Sequence, residues 1–139
     1  MEQKDWIYFG IFLDDKSKSR TLEAVSNNGV SIPNDWKIFN HHMTIAFNNH
    51  SEEAEKLYNY YRRYIVDMSP TNLVVDGIGY SEEAIALRVR WNLPIANKIP
   101  HITIATPPNG KPVNSNKITT WIDIRPFTLA GWIREFKKS

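Results

Sequence analysis

The stretch that decides the fold is His41-His42-Met43-Thr44-Ile45-Ala46-Phe47, together with its echo Pro100-His101-Ile102-Thr103-Ile104-Ala105-Thr106. In each, a histidine precedes a threonine by two residues inside an apolar, β-favouring run. Along a strand, side chains at i and i+2 share a face. Each copy therefore presents an imidazole beside a hydroxyl, His42 with Thr44 and His101 with Thr103. Met43, Ile45, Ile102 and Ile104 turn the other way. Two such strands set face to face supply two titratable rings and two hydroxyls to one small cleft, the equipment for acid/base chemistry on a phosphodiester. Ordinary amphipathic strands with structural histidines would not need the repeated context His-x-Thr-Ile-Ala.

Outward from the first copy, residues 5–13 are rich in aromatic and β-branched side chains and read as a buried strand. A helix follows to about Asn28, with Leu22 and Val25 facing inward and Gly29 at its C-terminal cap. Residues 31–37 are a loop set by Pro33 and Asn34-Asp35, and residues 41–48 form the first motif strand. Ser51 is the N-cap of a second helix, with Glu52 and Glu53 favouring its dipole. Ala54, Leu57, Tyr58, Tyr61 and Ile65 make its buried stripe, so its tyrosines and Arg62-Arg63 read as core plus solvent face and not as a nucleic-acid surface.

Outward from the second copy, residues 72–80 and 84–91 are two strands joined near Ser81-Glu82. The second alternates, with Ile85, Leu87, Val89 and Trp91 on one face and Ala86, Arg88 and Arg90 on the other. Residues 101–106 are the second motif strand, 107–112 a loop, and 118–136 one or two final strands interrupted at Pro126. The order β-α-β-α-β-β-β-β gives an α+β class. No linker divides it, so residues 1–139 read as a single domain whose halves each contribute one His-x-Thr strand.

Composition narrows the function. With 42% apolar and 12% aromatic residues the chain can bury a core. It has no cysteine, which removes disulfides and thiolate metal sites. It has no apolar run of membrane-spanning length and begins without a signal-peptide pattern, so a cytoplasmic location with no membrane partner is expected. A formal charge of +2 permits an anionic ligand without bulk coating of a nucleic-acid duplex. The basic stretch from Arg134 to Lys138 reads as a solvated end. By strand alternation His41 faces away from His42 in a supporting role, and His50 is an exposed loop residue. A metal centre built on His41, His42 and His101 lacks the further convergent ligands that zinc needs, so neither a metal nor another cofactor is expected.

At these residues the chain resembles the 2H phosphoesterase superfamily, whose signature is two His-x-Ser/Thr strands, one per lobe. The resemblance implies a bilobal, pseudo-symmetric fold of antiparallel sheets flanked by two main helices, and metal-independent action on cyclic phosphates or RNA 3′ ends. Within the superfamily the chain looks like the anti-CBASS nucleases of tailed phages. The residues that carry this are His41-His42 ahead of Met43-Thr44-Ile45, Ile32-Pro33-Asn34-Asp35-Trp36, and the run from Phe127 to Glu135. That likeness implies cleavage of 3′-5′ bonds in cyclic di- or trinucleotide messengers, serving phage evasion of CBASS immunity in the host cytoplasm. It also implies that an aromatic residue on the first strand and an acid near the C-terminus hold a nucleobase. Tyr8 and Glu135 fit those roles, with Phe9 or Trp132 as alternates.

Cleavage needs one histidine neutral and the other cationic, while Thr44 and Thr103 donate to the non-bridging phosphate oxygens. The symmetric motif leaves open which histidine is the base, and whether a 2′ hydroxyl or a water attacks. Two other readings compete. One is a 2′,3′-cyclic nucleotide phosphodiesterase or RNA 3′-end processing enzyme, for which Arg62, Arg63, Arg88 and Arg90 are the available cations. The other is a non-catalytic nucleotide-binding module, which would not need two intact His-Thr pairs.

Overall fold

The computed structural model describes residues 6–137; Asp5 of the expected first strand and Lys138 of the basic end lie outside them. Strand β1 (Trp6–Leu13) turns Phe9, Ile11 and Leu13 into the core and Tyr8 and Phe12 to the other face. Asp14 stops the strand and caps helix α1 (Asp15–Asn27), its carboxylate accepting from the Ser17 N–H at 2.7 Å. Gly29, at φ +79°, supplies the left-handed residue that ends the helix. The inward stripe of α1 is Ser17, Thr21 and Val25, while Leu22 is 36% exposed. The expectation of a buried Leu22 is thus corrected by one position. Thr21 takes the inward place because its hydroxyl donates to the Lys18 carbonyl at 2.6 Å, which removes the cost of burying it.

A two-residue strand, β2 (Lys37–Ile38), begins at the last residue of the expected loop, ahead of β3 (His42–Phe47). Helix α2 (Glu52–Asp67) begins at Ser51, whose Oγ accepts from the Ala54 N–H at 3.1 Å. It buries Ala54, Tyr58, Tyr61 and Ile65 and leaves Arg62, Arg63, Tyr60 and Tyr64 outside, as the amphipathic reading requires. Strands β4 (Pro70–Tyr80), β5 (Ile85–Arg90) and β6 (His101–Thr106) follow, then a 3-10 helix at Pro112–Lys117 and β7 (Trp121–Lys137). Ala86, expected on the polar face of β5, is buried with Ala84 and Ile118 in a small second cluster beside Trp121.

The strands form one antiparallel sheet in the order β2-β6-β5-β4-β7-β1-β3. The α+β class and the 2H phosphoesterase-like architecture hold, with both halves sharing this sheet. The final segment is one continuous strand in spite of Pro126. Val75 faces Phe127 while Gly77 faces Asp123, so residues 124–126 bulge opposite Asp76 and the proline escapes the ladder.

Four strands separate β3 from β6 in the sheet order, yet the two are in contact because the sheet curls. Short backbone bonds close the gap, from Ala96 N–H to the Ile45 carbonyl at 3.0 Å and from Phe39 N–H to the Ile104 carbonyl at 2.7 Å. The inward residues Met43, Ile45, Ile102 and Ile104 belong to one core cluster with Phe9 and Tyr61. Their burial fixes which face His42, Thr44, His101 and Thr103 must take. Among the described residues, no helix is long and apolar enough to cross a membrane.

Candidate active site

The two His-x-Thr pairs line the same cavity, of about 410 Å³, with Tyr8, Phe47 and Lys111 also in its wall. Gly10 sits opposite Thr44 in the β1–β3 ladder, and a Cβ there would overlap the Met43 carbonyl oxygen. Glycine is required for β1 to approach this closely and so sets the floor beneath His42 and Thr44.

His42 is held by rings and by two polar contacts. It stacks on Tyr8 at 5.0 Å and on Phe12 at 5.2 Å. Its Nε2 lies 2.9 Å from Thr44 Oγ1, and its Nδ1 lies 2.5 Å from His41 Nδ1. Burial, and then the charges of His41 and His101, pull its pKa down to about 3. His101 is buried and is held differently. Its Nδ1–H donates to the Ile99 carbonyl at 2.8 Å. A carbonyl can only accept, so the proton of the neutral ring sits on Nδ1 and Nε2 keeps its lone pair. Burial lowers the His101 pKa, and the Ile99 carbonyl opposes that shift.

Thr103 Oγ1 lies 2.8 Å from the Oγ of Ser115 and donates to the Pro112 carbonyl at 3.2 Å. Ser115 is 2% exposed, so the 3-10 helix fixes the second threonine from behind. Ser115 and Lys111 escaped the sequence reading. Lys111 follows Gly110 shortly after the motif strand, a readable signal for a loop cation; nothing in the sequence marks Ser115.

His41 does not face away from His42 as alternation suggested. The strand begins only at His42, and His41 sits in a bend where its N–H donates to the Phe39 carbonyl. The period-2 rule does not reach across that bend, and the ring stacks on His42 at 4.5 Å inside the cavity wall.

The three expected base-holding residues part company. Tyr8 is in the cavity wall. Trp132 pairs with Phe12 in the β1–β7 ladder, on the same sheet face but outside the wall, and is 41% exposed. Glu135 is corrected. It pairs with the core residue Phe9, and so points through the sheet to α2. There its carboxylate accepts from the Tyr58 hydroxyl at 2.6 Å and pairs with Lys137 at 3.2 Å. The alternate Phe9 is fully buried.

Arg88 and Arg90 do not form a free basic track. Arg88 bonds Asp76 at 2.8 Å and Asp123 at 2.6 Å, and Arg90 bonds Asp76 at 2.9 Å. Among the described residues, no group of three or more His, Asp or Glu side chains is arranged to hold a metal ion.

Comparison with known proteins adds to this geometry. A search of curated proteins gives no match. A solved structure described as the crystal structure of a fungal RNA kinase shares the fold, with a TM-score of 0.58 at 15% identity over 97% of this chain. This chain spans 45% of the length of that one. Residues 7–126 match the model for the fungal tRNA ligase phosphodiesterase domain. Both His-x-Thr strands fall within those residues, and the chain belongs to that family of 2H-type phosphodiesterase domains.

Proposed function

We propose that this protein hydrolyses 2′,3′-cyclic phosphates at RNA ends, with His42 and His101 as the acid/base pair. The observation that carries the reading is the convergence of both His-x-Thr pairs on one cavity from opposite ends of the sheet. The family match supports a phosphodiester substrate, and its tRNA ligase description favours RNA over a free messenger nucleotide.

In this reading a water attacks phosphorus, one ribose ester bond breaks, and the ring opens to a phosphomonoester. The water's proton goes to the base, and the leaving ribose oxygen takes one from the acid. His42 suits the base, because its surroundings keep it neutral. His101 suits the acid, because the Ile99 carbonyl supports its cation at Nδ1 while Nε2 can carry a proton to the leaving oxygen. The charge of a bound phosphodiester favours that cation further. Thr44 and Thr103, whose hydroxyls rotate, donate to the non-bridging oxygens, and Lys111 adds a cation at the rim. Tyr8 stacks the adjoining base.

A second reading uses the same four residues on the 3′-5′ bonds of cyclic di- or trinucleotides, in the anti-CBASS role. Its support is the likeness around His41-His42 and Ile32–Trp36, together with an aromatic wall roomy enough for a base.

The test is incubation with 2′,3′-cyclic AMP and, in parallel, a 3′,3′-cyclic dinucleotide, both with EDTA, followed by chromatography. We expect opening of the mononucleotide, with losses on the order of a hundredfold or more in His42→Ala and His101→Ala. Opening of the dinucleotide alone would move the protein to the second reading. Turnover of neither would leave a nucleotide-binding module.

A further inference from the structure

The sheet face that holds His42 continues beyond the cavity. Tyr8 and Phe12 of β1 lie opposite Phe136 and Trp132 of β7, and Gly10 lies opposite Arg134, so all these side chains share one face. The rings run on from one another. Phe136 stacks on Tyr8 at 5.2 Å, Tyr8 on Phe12 at 6.0 Å, and Phe47 tilts against Tyr8 at 5.5 Å. The guanidinium of Arg134 lies 5.5 Å over the Phe12 ring.

Much of this surface is in water. Phe47 is 55% exposed, Phe136 48% and Trp132 41%. The core does not require them there, since Phe9, Ile11 and Ile133 fill the opposite face. A contiguous aromatic patch beside a cavity marks an interaction site. Its charge says for what. Arg134 is on this face, whereas the carboxylate between Arg134 and Phe136, that of Glu135, points through the sheet to Tyr58. Flat rings with a neighbouring cation and no intervening acid suit stacked bases on a phosphate backbone.

We propose that this face is a platform for the single-stranded RNA leading to the scissile phosphate, so that an oligoribonucleotide end is a better substrate than a mononucleotide. The inference rests on the phosphodiesterase reading for the direction of the strand. Stacking needs no turnover, so the two fail separately.

The experiment measures fluorescence anisotropy of a labelled hexaribonucleotide bearing a 3′-phosphate, with the protein and with Phe136→Ala and Arg134→Ala. Both side chains lie on the surface, and circular dichroism checks the fold. We expect Phe136→Ala to weaken binding about tenfold. Arg134→Ala should weaken it and reduce its dependence on salt. A hexamer ending in a 2′,3′-cyclic phosphate should have a higher kcat/KM than 2′,3′-cyclic AMP, with the ratio falling in Phe136→Ala. Binding that neither variant changes would overturn the platform, as would a dimer that Phe136→Ala dissolves, which would assign the patch to a second copy. Variant-sensitive binding without turnover would keep the platform and remove the phosphodiesterase reading.

Discussion

The rings of His41 and His42 stack 4.5 Å apart and 25° from parallel, with their Nδ1 atoms facing. Two facing ring nitrogens can share one proton but not hold two. After burial, His41 is the largest influence holding His42 neutral. This makes the two motif histidines unlike, since His101 has a carbonyl in the matching place.

Replacing His41 with alanine therefore raises the His42 pKa from about 3 toward the ordinary histidine value. Proton–carbon NMR titration of the ring Cε1–H signals reads this. A His42 that still titrates near 3 would mean that packing against Tyr8 and Phe12 sets the value without help from His41.

Stability should fall as the solution is acidified from pH 7 to pH 5. His41, His42 and His101 all have lowered pKa values in the folded chain, chiefly through burial. The unfolded chain therefore binds more protons below its own histidine pKa of about 6.5, and folding loses ground there. For His42 the window runs from that value down to about 3. One fully responding group contributes a slope of up to about 1.4 kcal/mol per pH unit. Urea midpoints at three pH values test this, and His42→Gln should flatten the profile. Equal midpoints across the range would contradict the burial of these rings.

Gly10→Ala should damage the site from beneath. The added Cβ overlaps the Met43 carbonyl oxygen, which is backbone and cannot swing aside. The β1–β3 pairing must open, carrying His42 and Thr44 with it. We expect a loss of about 1–3 kcal/mol in urea unfolding, as for other overpacked positions, and a larger fractional loss in kcat than in folded protein. Wild-type activity in the folded fraction would show that β3 can shift without moving its side chains.

The assignment of acid and base is separable by leaving group. A p-nitrophenyl phosphodiester expels an oxygen that needs no proton. On it, His101→Ala should lose much less activity than on a cyclic ribose phosphate, while His42→Ala should lose about as much on both. The reverse pattern, read from initial rates, would exchange the two roles.

What was legible in the sequence followed local periodicity. His42 with Thr44, and His101 with Thr103, were readable because i and i+2 share a strand face whatever the rest of the chain does. The stripe of α2 and its Ser51 cap were readable for the same local reason. Which face of β7 meets the site was not. The run from Phe127 to Glu135 was singled out, and alternation alone sets Trp132 and Glu135 on opposite faces, but pairing with β1 decides that Trp132 is the one on the face of Tyr8. His41 was misread because its bend breaks the alternation. Arg88 and Arg90 were visible as cations, but Asp76 and Asp123 reach them from neighbouring strands. The grip of Ser115 on Thr103 depends on a 3-10 turn with no periodic signal.

Strand β7 lies between β4 and β1, although it comes last among the described elements. Before it docks, the β1–β3 pair and the β4–β5–β6 group are half-sheets whose one ladder link is the two-residue strand β2 on β6, and each carries one His-x-Thr pair. A chain emerging from the ribosome thus displays all four cleft residues before residues 121–137 exist to join the half-sheets. Long-range pairing of this kind is slow to form. Docking of β7 is therefore a late event in the life of each molecule, and a nascent chain stalled before Trp121 would carry both His-x-Thr pairs without the strand that holds their half-sheets edge to edge.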